Sequence, residues 1–156
     1  NGQAIPKQKV ADLVIPVTPN MEDAAQKEGS PSPCYRPEFE QAAPGGGKQC
    51  RYPQYRETLP GGKSYNVLDL VPDGAADDRD TVLVPQGHLF MMGDNRDRSA
   101  DSRFPQALGQ GIGFVPMINL EGRALVSFFS TDGSAQWLLP WTWLTAARPS
   151  RIGEGF

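Results

Sequence analysis

Cysteine is scarce in these 156 residues: only Cys34 and Cys50 occur. They stand too far apart for a Cys-x-x-Cys redox pair, and no second pair exists for zinc. A structural disulfide in an oxidising compartment such as a periplasm is the reading they support; two unpaired thiols are the alternative. A bridge closing a loop of that size stabilises by about 3 kcal/mol in the chain-entropy model. Long apolar runs are missing too. A membrane span needs roughly 20 such residues, and the nearest stretch, Trp137 to Leu144, is broken by Pro140. There is no basic excess: 15 Lys and Arg against 18 Asp and Glu give a net charge of -3. That argues against a nucleic-acid partner, which needs a clustered basic face. No initiator Met and no signal peptide open the chain. It begins on Asn1-Gly2, a hairpin-turn pair without its preceding strand, and so reads as a chain starting within a hairpin.

What the sequence has in quantity is punctuation. Glycine (17) and proline (15) make up about a fifth of it, high for a helical protein and below low-complexity levels. Many short strands joined by turns are expected, in one domain or a core with an extended insertion. Val10 to Val17 is apolar and extended, and Pro16 restricts it to a sheet edge or a short strand. Asn20 is expected to cap a helix over Met21–Glu28, with Asp23 three residues on and Gly29 as the stop. Ser30–Gly47 reads as a solvent-exposed loop tied by the two cysteines. Strands are expected over Tyr52–Thr58 and Ser64–Leu70 around a Leu59-Pro60-Gly61-Gly62 turn, then over Thr81–Pro85 and Leu89–Met92. Val71–Asp80, with Asp73, Asp77, Asp78 and Asp80, reads as a solvated hairpin tip, since its spacing fits no calcium loop. Arg123–Ser130 has apolar residues on both faces, as a buried strand would. The tail interleaves Trp137, Trp141 and Trp143 with leucines. Packing on the core and contact with a membrane interface both fit it, packing slightly better.

The densest chemistry lies in Gly93-Asp94-Asn95-Arg96-Asp97-Arg98-Ser99-Ala100-Asp101-Ser102-Arg103-Phe104, fed by the apolar run Leu89-Phe90-Met91-Met92. Burying isolated charges costs roughly several kcal/mol each, so these must pair or face a cleft. Asp94 with Arg96, and Asp101 with Arg103, are each two apart and are expected to pair along a bent backbone. Residues 97–104 are expected to form a tight turn or one 3₁₀ turn, helped by Gly93, Ser99, Ala100 and Ser102.

This stretch resembles the last box of bacterial type I signal peptidases, the membrane-bound Ser–Lys proteases of secretion. That box runs through two pairs of apolar residues, Gly-Asp-Asn, three residues, Ser, two residues, Ser. Leu89 through Ser102 meets every position. Val84-Pro85-Gln86-Gly87-His88 before it, and Gly113-Phe114-Val115-Pro116 with Asn119–Ala124 after it, resemble the family as well. The resemblance covers about residues 49 to 130. Arg98 departs from it, where Asn is usual, as do Met117-Ile118, where an acidic residue is expected, and the long loop Pro105–Ile112.

In the resembled family an unprotonated Lys deprotonates a Ser, and such a Lys must be buried away from negative charge. Those two residues lie in a Ser-x-Ser-Met box and an Arg-x-x-Gly-x-Pro-Gly-Asp box. Neither occurs here: no Ser precedes a Met, and Pro60-Gly61-Gly62 has no Asp. The resemblance therefore implies a piece lacking nucleophile and base, inactive alone. It makes Ser99 the hydroxyl that orients the lysine, Asp101 and Arg103 a buried ion pair beside it, and Asp94 a supporting residue. It implies no cofactor and no metal, a monomer, exported preprotein signal peptides as partners, and a place on the periplasmic face of the inner membrane. The expected fold is mostly β: an incomplete antiparallel core (residues 85–156) with a β-ribbon insertion (residues 1–84). A Ser-His-Asp triad from His88, Asp94 or Asp101, and Ser99 or Ser102 lacks any nucleophile-elbow pattern. An EF-hand reading of Asp94–Asp101 fails because Arg96 and Arg98 fall on ligand positions. The rival of another class is a non-catalytic periplasmic β module that binds peptide or membrane.

Overall fold

The computed structural model describes every residue except Asn1, Asp73, Ala75, Leu108, Gly109, Asp132, Gly133, Ser134, Trp137, Glu154 and Phe156. Parts of three expectations thus lie outside the described residues: Asn1 of the opening turn, Asp73 of the acidic tip and Trp137 of the tail. The elements in chain order are β1 (Lys7–Lys9), β2 (Leu13–Pro16), α1 (Pro19–Lys27), β3 (Glu40–Ala42), β4 (Lys48–Tyr52), β5 (Gln54–Thr58), β6 (Ser64–Leu68), β7 (His88–Leu89), β8 (Val115–Pro116) and α2 (Trp141–Ala146). The fold is mostly β. Three small sheets have the orders β1-β5-β6, β2-β4-β3 and β7-β8.

The chain packs as two units: Asn1–Val14 with Arg51–Glu121, and Ile15–Cys50 with Gly122–Phe156. In the first unit, β5 and β6 form an antiparallel hairpin in which Glu57 pairs Tyr65 and Tyr55 pairs Val67. Its turn closes at Gly62, whose φ of 82° needs glycine. Strand β1 adds antiparallel to β5, with Lys7 opposite Glu57. Val67 and Leu70 are buried, yet so are Glu57, Asp101, Ser102 and Arg103. The interior of this unit is largely a charge network.

In the second unit Thr18, rather than Asn20, caps the helix, its Oγ1 accepting the Met21 N–H at 3.4 Å. Pro19 at the first helical position sets this start, because proline fits there and lacks a donor. Gly29 follows the helix with φ 66°. Cys34 and Cys50 are bonded, with Cα atoms 5.6 Å apart and both residues buried. Beside the bridge, Ser32 Oγ donates to Glu40 Oε2 at 2.7 Å and accepts the Cys34 N–H at 3.1 Å. Lys48 closes the network on Glu40 at 2.8 Å. Strand β2, which ends on Pro16, is an edge of its sheet, as that proline requires.

Other expected strands shorten or fail. Pro53 divides the expected Tyr52–Thr58 strand into the end of β4 and β5. Thr81–Pro85 is not a strand, and Leu89–Met92 contributes only Leu89, through β7. Arg123–Ser130 is exposed and irregular: Leu125 is 74% and Phe128 87% accessible. A strand buried on both faces needs partners on both edges. The described residues give this one a single bridge, Val126 to Gly155. In the tail, Trp143 packs on Phe129 at 6.3 Å and donates its indole N–H to the Gln136 carbonyl at 2.9 Å. Trp141 and Leu144 of the same short helix stay exposed.

Candidate functional site

The box lies in the first unit, closed at its neck. Strand β7 pairs β8 through Leu89 and Val115, and the Phe90 and Phe114 rings lie 6.3 Å apart. Ser102 ties the loop back on itself. Its N–H donates to the Met91 carbonyl at 3.0 Å, and its Oγ accepts the Met91 N–H at 2.9 Å. Of the two expected forms the loop takes the tight turn, twice over, with Arg98 N–H on the Asn95 carbonyl and Phe104 N–H on the Asp101 carbonyl.

Asp101 organises the interior of the loop. Its Oδ1 accepts the Arg103 N–H at 3.0 Å and Arg103 Nε at 2.9 Å. Its Oδ2 accepts Arg103 Nη2 at 2.9 Å and the Gly93 N–H at 2.9 Å. The two side chains are only 4% and 5% accessible. Burial opposes the carboxylate charge, but the Arg103 guanidinium and the Gly93 and Arg103 N–H groups outweigh it and lower the pKa to about 2. Arg103 also donates to the Arg96 carbonyl, and Arg79 to the Arg103 carbonyl.

The expected Asp94–Arg96 pair does not form. Asp94 is exposed, and its carboxylate accepts the Asn95 N–H at 2.9 Å. Arg96 instead reaches Glu57 on β5, with Nη1 to Oε1 at 2.9 Å and Nη2 to Oε2 at 2.5 Å. Asn95 pairs in parallel with Leu68, at the end of β6, which brings Arg96 alongside the β5–β6 hairpin that carries Glu57. Leu68 N–H donates to the Asp94 carbonyl, and Arg96 N–H to the Leu68 carbonyl, both at 2.8 Å. Asp97 adds a second clamp: its Oδ2 accepts the Leu70 N–H at 2.5 Å and the Val71 N–H at 3.0 Å.

Ser99 is half-buried and faces Gly93. A Cβ built on Gly93 would lie 2.2 Å from Ser99 Oγ, so only glycine fits there. Beside Gly93 opens a cavity of about 440 Å³, walled by Ile5, Tyr65, Val67, Phe90 and Met92 on its apolar side and by Glu57, Asp94 and Arg96 on its charged side. Burial and the hydrogen bond to Glu57 push the Tyr65 phenol up, so it is neutral at ordinary pH.

The His88 triad does not assemble. His88 Nδ1 lies 3.1 Å from the Gln86 carbonyl oxygen, and Asp101 is held by Arg103. Asp69, Asp77 and Asp97 bring carboxylate oxygens within 4.8 Å of one another. Each already has a partner: Lys7 on Asp69, the Gly74 N–H on Asp77, and two backbone N–H groups on Asp97. Sequence reasoning missed Glu57, Asp97 and Arg79. For Glu57 there was a signal, a carboxylate placed mid-strand where the alternation of β5 calls for a buried residue.

Comparison with known proteins agrees with this box. The family described as "Signal peptidase, peptidase S26" matches residues 21–129, more than half of the chain. Signal peptidase I of Buchnera aphidicola (subsp. Acyrthosiphon pisum) is 44% identical over 74 residues, 47% of this chain and 20% of that relative. Signal peptidase I of Aquifex aeolicus is 44% identical over 84 residues, 46% of this chain and 29% of the relative. That of Rickettsia prowazekii is 38% identical over 65 residues, 42% and 22% of the two chains. The matches thus span less than a third of each relative's length. No solved structure matched. The chain belongs to the signal peptidase family, peptidase S26.

Proposed function

We propose that this chain supplies the supporting wall of a serine endopeptidase that cleaves signal peptides from exported preproteins, using a Ser–Lys dyad. The nucleophile and the lysine base belong to segments other than these 156 residues, and the chain alone is inactive. Ser99 orients the lysine amine, Asp101 and Arg103 fix the turn that carries Ser99, and Asp94 supports it from the exposed side. The observation that carries the reading is the way the site handles negative charge. A lysine base works only when neutral, and a bare carboxylate nearby would hold it protonated. Among the described residues, both buried carboxylates of this unit are covered by guanidinium groups, Asp101 by Arg103 and Glu57 by Arg96. The place of action is the periplasmic face of the inner membrane, in keeping with the disulfide.

The test is a cleavage assay on a preprotein with the purified 156-residue chain and with the full-length gene product. The proposal expects cleavage by the second only. It also expects a Ser-x-Ser-Met box and a Lys-bearing Pro-Gly-Asp box in the coding sequence upstream of Asn1. An unrelated domain there, with no cleavage by either protein, would support the non-catalytic peptide- or membrane-binding module instead.

A further inference from the structure

Glu57 lies on β5, 39 residues before Arg96 in sequence, yet it is 7% accessible and grips Arg96 with both oxygens. A two-point carboxylate–guanidinium contact fixes the plane of the guanidinium as well as its position. The third nitrogen of that group is thereby aimed: Arg96 Nε donates to the Gly93 carbonyl at 3.2 Å. The Gly93 N–H is held at 2.9 Å by Asp101 Oδ2. Gly93 is thus pinned at both of its backbone polar groups, from Arg96 on one side and Asp101 on the other. It is also the residue against which Ser99 rests, with no room for a Cβ between them.

We propose that Glu57 is a positioning residue for Ser99: it orients Arg96, Arg96 holds the Gly93 carbonyl, and Gly93 sets where the Ser99 hydroxyl stands. This rests on the reading that Ser99 orients a lysine base. The chemistry asks for such a brace. A serine that aims an amine must be held within about 0.5 Å, and misplacement by about 1 Å costs about a hundredfold in rate. Gly93, Ser99 and Ala100 are small and give the turn little packing of its own where the hydroxyl stands, so its position there must come from outside. A neutral residue at position 57 would leave Arg96 free to swing. A lysine at position 96 would keep the ion pair while losing the fork that serves Glu57 and Gly93 together.

The experiment uses the full-length gene product with a preprotein substrate. Arg96→Lys is the sharpest variant, because it retains the charge pair and hence the fold. It is expected to lower kcat tenfold or more, leave KM within about twofold, and melt close to the parent. Glu57→Gln should lower kcat to a similar degree, and the double variant should be no slower than the slower single one, as for two members of one chain of contacts. Parent-like kcat in Arg96→Lys, or additive losses in the double variant, would overturn the proposal. A rise in KM matching any loss of kcat/KM would overturn it too, since positioning for chemistry acts on kcat. Ser99→Ala is run beside them. If Ser99→Ala is slow while Arg96→Lys is not, the brace fails and the role of Ser99 stands. If Ser99→Ala turns over like the parent, the reading of the site fails and the brace with it.

Discussion

Gly93 and Ser99 touch so closely that a single added methyl group would sit 2.2 Å from the serine hydroxyl and 2.4 Å from its Cβ. Gly93→Ala must therefore push Ser99 away. Overpacking of this kind costs about 1–3 kcal/mol of stability. In the full-length protein the expected result is a fall in kcat of about a hundredfold, with the fold retained. Steady-state kinetics and a thermal melt check both parts.

The Asp101–Arg103 pair makes stability acid-sensitive in a defined window. The folded-state pKa of Asp101, about 2, lies below its unfolded value. The stabilisation is fully present above the unfolded pKa, roughly pH 4, and is lost as pH falls toward 2. A shift of this size corresponds to about 2 kcal/mol. Urea unfolding at pH 6, 4 and 2.5 should show the decline between the last two. In Asp101→Asn that share of the decline is expected to vanish. The variant should also be less stable at pH 6 by about 3–5 kcal/mol, because Arg103 would remain buried without its partner.

Asp97 joins the box to the chain leaving β6. Its Oδ2 serves two backbone N–H groups, Leu70 and Val71. Asp97→Ala strips both of their acceptor, at a cost of about 1–3 kcal/mol. Hydrogen exchange should quicken at the Leu70 and Val71 amides by more than at the Cys50 amide of the other unit. Equal acceleration at all three would mean that Asp97 acts only on global stability.

The Cys34–Cys50 bridge closes a loop of 16 residues in sequence separation. Replacing both cysteines by serine is expected to cost about 3 kcal/mol, measured by guanidinium denaturation. Thiol labelling of the parent under denaturing conditions without reductant should find no reactive cysteine.

The box was legible in the sequence because its residues are fixed in type and spacing over fourteen consecutive positions, Leu89 to Ser102. So was the Asp101–Arg103 pair, since a turn brings residues two apart together. Arg96 was misassigned for the opposite reason. Its partner, Glu57, is 39 residues away, and local spacing favoured Asp94. The hairpin around Gly62 was readable from its turn residues, whereas the stretches Thr81–Pro85 and Arg123–Ser130 were not. Their β-favouring composition reports what a strand would bury, but a strand forms only where another strand offers its edge. The helix was readable in kind and misplaced at its start, because Thr18-Pro19 outcompetes Asn20 as a cap.

The central claim is that Ser99 acts on a lysine base rather than on the substrate. The most direct test is steady-state cleavage of a preprotein by Ser99→Ala of the full-length gene product, with a thermal melt as control. The expected result is a drop in kcat of about a hundredfold, with KM and melting temperature close to the parent. Parent-like kcat in Ser99→Ala, or cleavage by the isolated 156-residue chain that disappears on the same substitution, would contradict it.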